Sequence, residues 1–263
     1  MPAPGARLRF RDEGYGFPIV FIHGWTLDLE MWRPQANALR DAFRIVRMDR
    51  RGFGASQGTA SLVCDVRDLT KLLDYLGLER VALVGMSQGA RVAMCAAMSL
   101  EERVACLVLD GAPLDDPGGS ARPEISIEYF RDLIATQGIG AFRTEWLEHP
   151  LMRLHAPQGW SRALLHSMVA RYCGGDLLID PASEHATPVP VRLGEIRIPT
   201  LVLNGEFDGT RRRMGDAFCA AMPNAQRAII AGAGHLPNLD NPRAYNQAVS
   251  HFVEQHLPRS IEE

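Results

Sequence analysis

Val81-Ala82-Leu83-Val84-Gly85-Met86-Ser87-Gln88-Gly89, running on into the small residues Ala90 to Ala97, decides the fold of this chain. An apolar run of strand composition meets a helix-compatible run, so Ser87 stands where a strand turns sharply into a helix. Glycines two residues to either side let strand and helix approach without a Cβ clash, and the turn strains the serine backbone while thrusting its hydroxyl out at the carboxyl edge of a sheet. This is the spacing of a nucleophile elbow. A glycine-rich strand-to-helix turn also serves to cradle phosphate, but no Lys-Ser or Lys-Thr follows to make a P-loop.

Two downstream residues give the serine partners. His235, in Gly232-Ala233-Gly234-His235-Leu236-Pro237, follows the run Arg227-Ala228-Ile229-Ile230, so its imidazole sits on a loop after a strand. There it serves as general base toward Ser87 and then as general acid toward the leaving group. Asp208, in Asn204-Gly205-Glu206-Phe207-Asp208, follows the strand Thr200-Leu201-Val202-Leu203 and is the expected carboxylate for fixing the histidine tautomer. Glu206 and Asp110 compete for that role; Asp110 ends the apolar strand Ala105 to Leu109. The other seven histidines lack the strand-then-glycine context, and His23 reads as a turn brace.

An oxyanion hole needs two backbone N–H groups aimed at the developing charge. Gln88, directly after the nucleophile, supplies one. Trp25, in the turn His23-Gly24-Trp25 after the strand Phe17 to Ile22, supplies the other, with its side chain walling the pocket.

With these motifs in view, the chain resembles the α/β-hydrolase superfamily, and within it the small esterases and lactonases that include 3-oxoadipate enol-lactonases and pimeloyl-carrier-protein methyl ester esterases. The resemblance rests on His23-Gly24-Trp25, Asp49-Arg50-Arg51-Gly52-Phe53-Gly54-Ala55-Ser56, Gly85 to Gly89, Gly205 to Asp208 and Gly234 to Pro237. The order Ser, Asp, His is that family's order. The resemblance implies an α/β fold with a mostly parallel sheet covered by helices on both faces and a helical cap inserted after the sixth strand. It also implies Ser87, Asp208 and His235 as catalytic residues. Two features depart from the pattern: Gly209-Thr210-Arg211-Arg212-Arg213 stands where a proline often follows the acid, and the short amino-terminal segment leaves the first edge strand missing or vestigial.

Composition agrees with one globular enzyme. At 263 residues, 46% hydrophobic and net charge −3, the chain buries a large core and is too neutral for a nucleic-acid binder. Lys71 is the only lysine, so Arg50-Arg51 and Arg211-Arg212-Arg213 read as short solvated runs. The five cysteines, Cys64, Cys95, Cys106, Cys173 and Cys219, lack metal-ligand spacing and read as reduced and mostly buried. No metal or cofactor is expected. The amino terminus lacks the apolar core of a signal peptide, no stretch approaches the ~20 apolar residues of a membrane span, and a cytoplasmic location is expected.

Along the chain, Leu8 to Asp12 and Phe17 to Ile22 are expected to form a hairpin around Gly14-Tyr15-Gly16, followed by a strand over Arg44 to Met48. Leu62, Val63, Val66, Leu69, Leu72, Leu73 and Leu76 recur at helical spacing up to Gly77, predicting a sheet-covering helix without chemistry. Asn241-Pro242 marks the start of a closing helix. Residues 1–112 and 197–263 are expected to form the core, and 113–196 the cap, because that interval is too long for an ordinary connection. Helical patterns over Ile127 to Thr136, Ile139 to Glu148 and Gly159 to Tyr172 are separated by Gly138, Pro150 and Pro157. Phe130, Phe142, Trp146, Met152, Trp160 and Met168 are candidate pocket residues. Arg122, Arg131, Arg143, Arg153 and Arg162 are candidate partners for a substrate carboxylate, against a background of solvated arginines.

The expected chemistry is hydrolysis of a small-molecule carboxylic ester or lactone through an acyl-enzyme on Ser87. A haloalkane dehalogenase or epoxide hydrolase of this fold needs Asp at the elbow, so Ser87 argues against both. A cofactor-free perhydrolase (haloperoxidase) or a C–C bond hydrolase uses the same triad, and a non-catalytic small-molecule binding protein on this fold is the reading from a different class.

Overall fold

The structure, a computed structural model, describes residues 1–113, 125–179 and 191–257. A two-residue ribbon, β1 (Pro2–Ala3) with β2 (Ala6–Arg7), stands apart from the main sheet. The main sheet contains β3 (Phe10–Glu13), β4 (Pro18–Ile22), β5 (Arg44–Met48), β6 (Val81–Met86), β7 (Val104–Asp110), β8 (Thr200–Gly205) and β9 (Ala225–Ile230). These seven strands lie in the order β3-β5-β4-β6-β7-β8-β9, with β3 antiparallel and every other pairing parallel. Every residue of β6, β7 and β8 is buried, as expected for parallel strands covered on both faces.

Alternation along β4 assigns the two faces. Ile19 and Phe21 join one apolar cluster with α1 (Arg33–Leu39) and α7 (Pro242–Gln255), while Val20 and Ile22 join the other with α2 (Leu62–Tyr75), α3 (Gln88–Ser99) and α6 (Gly209–Ala221). Both helix ends read from the sequence carry their caps: the Asn241 side chain accepts from Ala244 N at 3.2 Å, and Gly77 follows α2 at φ 64°.

The hairpin expected around Tyr15 does not form. β5 lies between the two segments, with Phe10 opposite Met48 on one side and Ile22 opposite Met48 on the other. β4 is apolar enough to be buried between two parallel neighbours, whereas β3 is polar and half-exposed, which suits an edge. Gly14 (φ 82°) and Gly16 (φ 90°) turn the chain across the end of β5, and a Cβ on Gly14 would come within 2.5 Å of the Phe43 carbonyl oxygen. β3 is thus one edge strand, with β9 at the other, and the long interval expected after a sixth strand follows the fifth of this sheet in chain order, β7, because only β3 to β6 precede it.

After β7 come α4 (Ile127–Glu148), bent at Gly138 (φ 82°, ψ 170°), and α5 (Gly159–Arg171). The separation expected at Gly138 is therefore a kink between two helical stretches. Phe142, Trp146, Leu165 and Met168 from this segment share the apolar cluster that holds Phe21 and Trp25.

Both arginine runs differ from their solvated reading. Arg50 and Arg51 are buried because α2 presents Asp65 and Asp68 one turn apart: Arg50 meets Asp65 at 2.7 Å and Arg51 meets Asp68 at 2.7 Å. α2 thus does more than cover the sheet. Arg211 is buried as well, while Arg212 and Arg213 are exposed. Of the five free cysteines only Cys95 and Cys106 are buried; Cys64 and Cys219 are half-buried and Cys173 is exposed. Among the described residues no helix is long and apolar enough to cross a membrane, and no cluster of three metal-ligating side chains occurs.

Candidate active site

Ser87 adopts φ 52°, ψ −116°, a conformation costing a non-glycine residue about 1–3 kcal/mol. The flanking glycines make that turn possible. A Cβ on Gly85 would lie 2.7 Å from Ala90 Cα, and one on Gly89 would lie 2.5 Å from the His23 carbonyl oxygen. The serine N–H donates to Asp110 O at 2.7 Å, fixing the elbow to the end of β7.

His235 is 3% exposed, and its Nδ1 lies 2.8 Å from Asp208 Oδ1. With Nδ1–H given to the carboxylate, Nε2 carries the lone pair. The second oxygen of Asp208 accepts from Asn204 Nδ2 at 3.0 Å, and Asn204 Oδ1 accepts from Arg227 Nη1 at 2.7 Å. Ser87 and His235 border one small recess together with Trp25, Trp146 and Met152. Gly111 (φ 54°) backs the imidazole; a Cβ there would be 2.8 Å from His235 Cε1.

Neither competing acid is hydrogen-bonded to His235. Glu206 accepts from Gly232 N at 2.9 Å. Asp110 is fully buried, and burial first, then the charge of Asp208, pushes its pKa well above the usual carboxylate range. Its polar neighbour is the Tyr245 hydroxyl.

Gln88 opens α3, so its backbone N–H has no acceptor within the helix. Its side chain is held by Arg50, whose Nη1 donates to Oε1 at 2.7 Å. Across the site, Trp25 is followed by Thr26 at φ 63°, and that strained residue accepts from Trp146 Nε1 at 2.7 Å. The Trp25 indole does more than wall a pocket: it donates to Asp176 at 2.6 Å and packs edge-on against Trp146 at 4.8 Å. His23 braces the turn, accepting Arg50 N on Nε2 at 2.9 Å and donating from Nδ1 to Gly24 O at 2.8 Å. Burial, and then the Arg50 charge, lowers its pKa to about 3.

Two spaces meet at Ser87. The apolar recess has a volume of about 10 Å³, and the other is a cavity of about 430 Å³. Of the six aromatic and methionine residues expected to line a pocket, Trp146 and Met152 border the recess. Phe130, Phe142 and Met168 border neither space, because they are spent on packing α4 and α5 against Trp25 and the sheet. Trp160 is 37% exposed and bonds Gln158 instead. Among the arginines, Arg131 borders the larger cavity; Arg143 is taken up by the Tyr172 carbonyl, Arg153 and Arg162 are exposed, and Arg122 lies outside the described residues.

Sequence reasoning missed Asp240. Its Oδ1 accepts the N–H groups of His155 at 2.7 Å and Ala156 at 3.0 Å, and its Oδ2 accepts that of Gly234 at 2.8 Å. It also missed Arg91 and Arg211, which border the larger cavity. Arg91 is legible in retrospect, standing one helical turn beyond Ser87 on α3; nothing local marks Asp240.

Comparison with known proteins gives the setting. A family described as alpha/beta hydrolase fold matches residues 18–242. Relatives include esterases, an enol-lactonase, a haloperoxidase and 2-hydroxy-6-oxononadienedioate hydrolases, covering both groups that the motifs resemble. A 2-hydroxy-6-oxononadienedioate/2-hydroxy-6-oxononatrienedioate hydrolase of Paraburkholderia phymatum is 29% identical, with 95% of this chain and 91% of that protein covered. A non-heme haloperoxidase of Rhodococcus erythropolis is 28% identical over 95% and 97% of the two chains. The solved structure of a thermophilic esterase from Thermogutta terrifontis superimposes with a TM-score of 0.80 at 28% identity, covering 95% of this chain and 94% of that one.

Proposed function

Because the chain belongs to the alpha/beta hydrolase fold family, we propose that it is a serine hydrolase cleaving a carboxylic ester or lactone through an acyl-enzyme on Ser87. The observation that carries this reading is the 2.8 Å contact between His235 Nδ1 and Asp208 Oδ1, with the imidazole and the strained Ser87 in the wall of one recess. Asp208 holds the His235 proton on Nδ1, leaving Nε2 to take the proton of Ser87 Oγ as the oxygen attacks the carbonyl carbon. The Trp25 and Gln88 N–H groups receive the oxyanion, and His235 returns the proton to the leaving alkoxide. Water, deprotonated by the same imidazole, then releases the acid and restores Ser87.

In this scheme residues 113–196 are the cap over the serine and 1–112 with 197–263 the core, with 114–124, 180–190 and 258–263 lying outside the described residues. Four ties support that division: Trp146 to Thr26, Trp25 to Asp176, Arg171 to Asp28 at 2.6 Å, and Asp240 to His155. No metal or organic cofactor enters any step. The free cysteines fit a reducing compartment, so we assign the protein to the cytoplasm.

The same triad serves C–C cleavage or peracid formation, and the Paraburkholderia and Rhodococcus relatives favour these as the second reading. The test is hydrolysis of p-nitrophenyl acetate, butyrate and octanoate and of a γ-lactone by the wild type beside Ser87→Ala. Turnover should fall at least about a thousandfold in the variant. Peroxide-dependent halogenation exceeding ester turnover, and lost with Ser87, would move the assignment to a perhydrolase. No turnover, with no fluorophosphonate labelling of Ser87, would leave a small-molecule binding protein.

A further inference from the structure

We infer that the larger cavity holds a substrate carboxylate at Arg131, so that the ester or lactone carries a second, ionised acid group. This rests on the serine-hydrolase reading and specifies its substrate. The two spaces at Ser87 are unequal: the apolar recess, about 10 Å³, has room for about one water at most. The bulk of any substrate must therefore occupy the 430 Å³ cavity.

That cavity is rich in guanidinium groups. Arg50, Arg91, Arg131 and Arg211 border it, and Asp176 is its one carboxylate among the described residues. Asp176 is committed, accepting from Trp25 Nε1 on one oxygen and from Tyr172 OH on the other, each at 2.6 Å. Arg50 has its charge matched by Asp65, and Arg91 and Arg211 are engaged by other groups of the chain.

Arg131 differs. Its Nε donates to the Leu177 carbonyl at 2.8 Å, a neutral acceptor that fixes the guanidinium plane, and no ion pair joins it to a described residue. Among the described residues no acidic side chain pairs with this oriented charge, and neither terminal nitrogen is hydrogen-bonded. A planar carboxylate matches that fork with two parallel hydrogen bonds, which a neutral ester or an alkyl chain does not. A half-ester of a dicarboxylic acid, or a lactone bearing a carboxylate, satisfies both ends: carbonyl at Ser87, anion at Arg131.

The test compares monomethyl glutarate with dimethyl glutarate. In the wild type kcat/KM should favour the half-ester at least tenfold, and the ratio should collapse toward one in Arg131→Gln. Arg131→Lys, which keeps the charge but loses the fork, should fall between them and covers the case in which the glutamine variant does not fold. Arg162→Gln, which removes an exposed charge elsewhere, should leave the ratio unchanged. Calorimetric titration of the wild type with glutarate should show one saturable site that weakens in Arg131→Gln. Equal use of both esters, or a ratio unaltered in Arg131→Gln, overturns the inference. If neither ester is cleaved and Ser87 resists fluorophosphonate, the hydrolase reading falls; Arg131-dependent glutarate binding would then still uphold the anion site, and its absence would remove that too.

Discussion

Asp240 accepts the backbone N–H of His155 at 2.7 Å across 85 residues of sequence, while its other oxygen accepts that of Gly234, the neighbour of His235, at 2.8 Å. One buried carboxylate thereby fastens the segment after β7 to the loop that carries the candidate base. The His155 ring stacks on Phe207 at 5.0 Å, so the same clasp reaches the turn before Asp208.

Asp240→Asn removes the charge and sets an amide NH₂ against at least one of these backbone donors. Hydrogen bonds to a charged group contribute about 1.5–3 kcal/mol each, so a stability loss of about 2–4 kcal/mol is expected in urea unfolding. kcat for p-nitrophenyl butyrate should fall about tenfold as the His235 loop loosens. A stability loss with kcat unchanged would restrict Asp240 to tying the segments together.

Asp208 and Asp110 separate cleanly by substitution. Asp208→Asn puts a hydrogen-bond donor against Nδ1 and favours the wrong tautomer, for which a fall of about 10⁴ in kcat is expected. Asp110→Asn puts a neutral group of similar size where burial already disfavours the charged carboxylate, so kcat should stay within a few-fold. Steady-state kinetics on both variants decides; the reverse pattern would transfer the acid role to Asp110.

Gly111→Ala tests how closely the imidazole is backed. The added methyl meets His235 at 2.8 Å at a positive φ of 54°, so either the ring or the β7 end must move. Displacement of a catalytic group by about 1 Å costs on the order of a hundredfold in rate. kcat should drop by tenfold or more, with Ser87 still labelled by fluorophosphonate at a reduced rate; an unchanged kcat would show that the site yields without cost.

His23 sets part of the acid sensitivity of folding. Its folded pKa is depressed to about 3 against 6.5 when unfolded, so between those values the unfolded chain alone binds the proton. This contribution is complete above pH 6.5 and is lost as the pH falls toward 3, at up to about 1.4 kcal/mol per pH unit. His23→Gln lacks the term: it should be less stable at pH 7, yet its unfolding free energy should decline less steeply than the wild type's from pH 6.5 to 4.5. Parallel slopes in urea titrations would contradict this.

The sequence by itself determined the landmarks that local chemistry writes into short stretches. Gly85 to Gly89 announces a strained strand-to-helix turn because only glycine tolerates the close approach on either side of Ser87. The buried strands and the caps at Gly77 and Asn241 were legible for similar reasons, as was the kink at Gly138. Tertiary structure alone decided what depends on partners far apart in the chain. β3 pairs with β5 because β4 is apolar enough to be enclosed, which no local pattern around Tyr15 expresses. Asp65 and Asp68 draw Arg50 and Arg51 out of solvent, and Asp240 finds His155 and Gly234 only once the chain has folded. The pocket followed the same logic: Phe130, Phe142 and Met168 have helical spacing that fits packing as well as a pocket wall, and only three-dimensional neighbours assign them to packing while leaving Arg131 beside the cavity. A periodic apolar face states that a residue is buried, and the fold states against what.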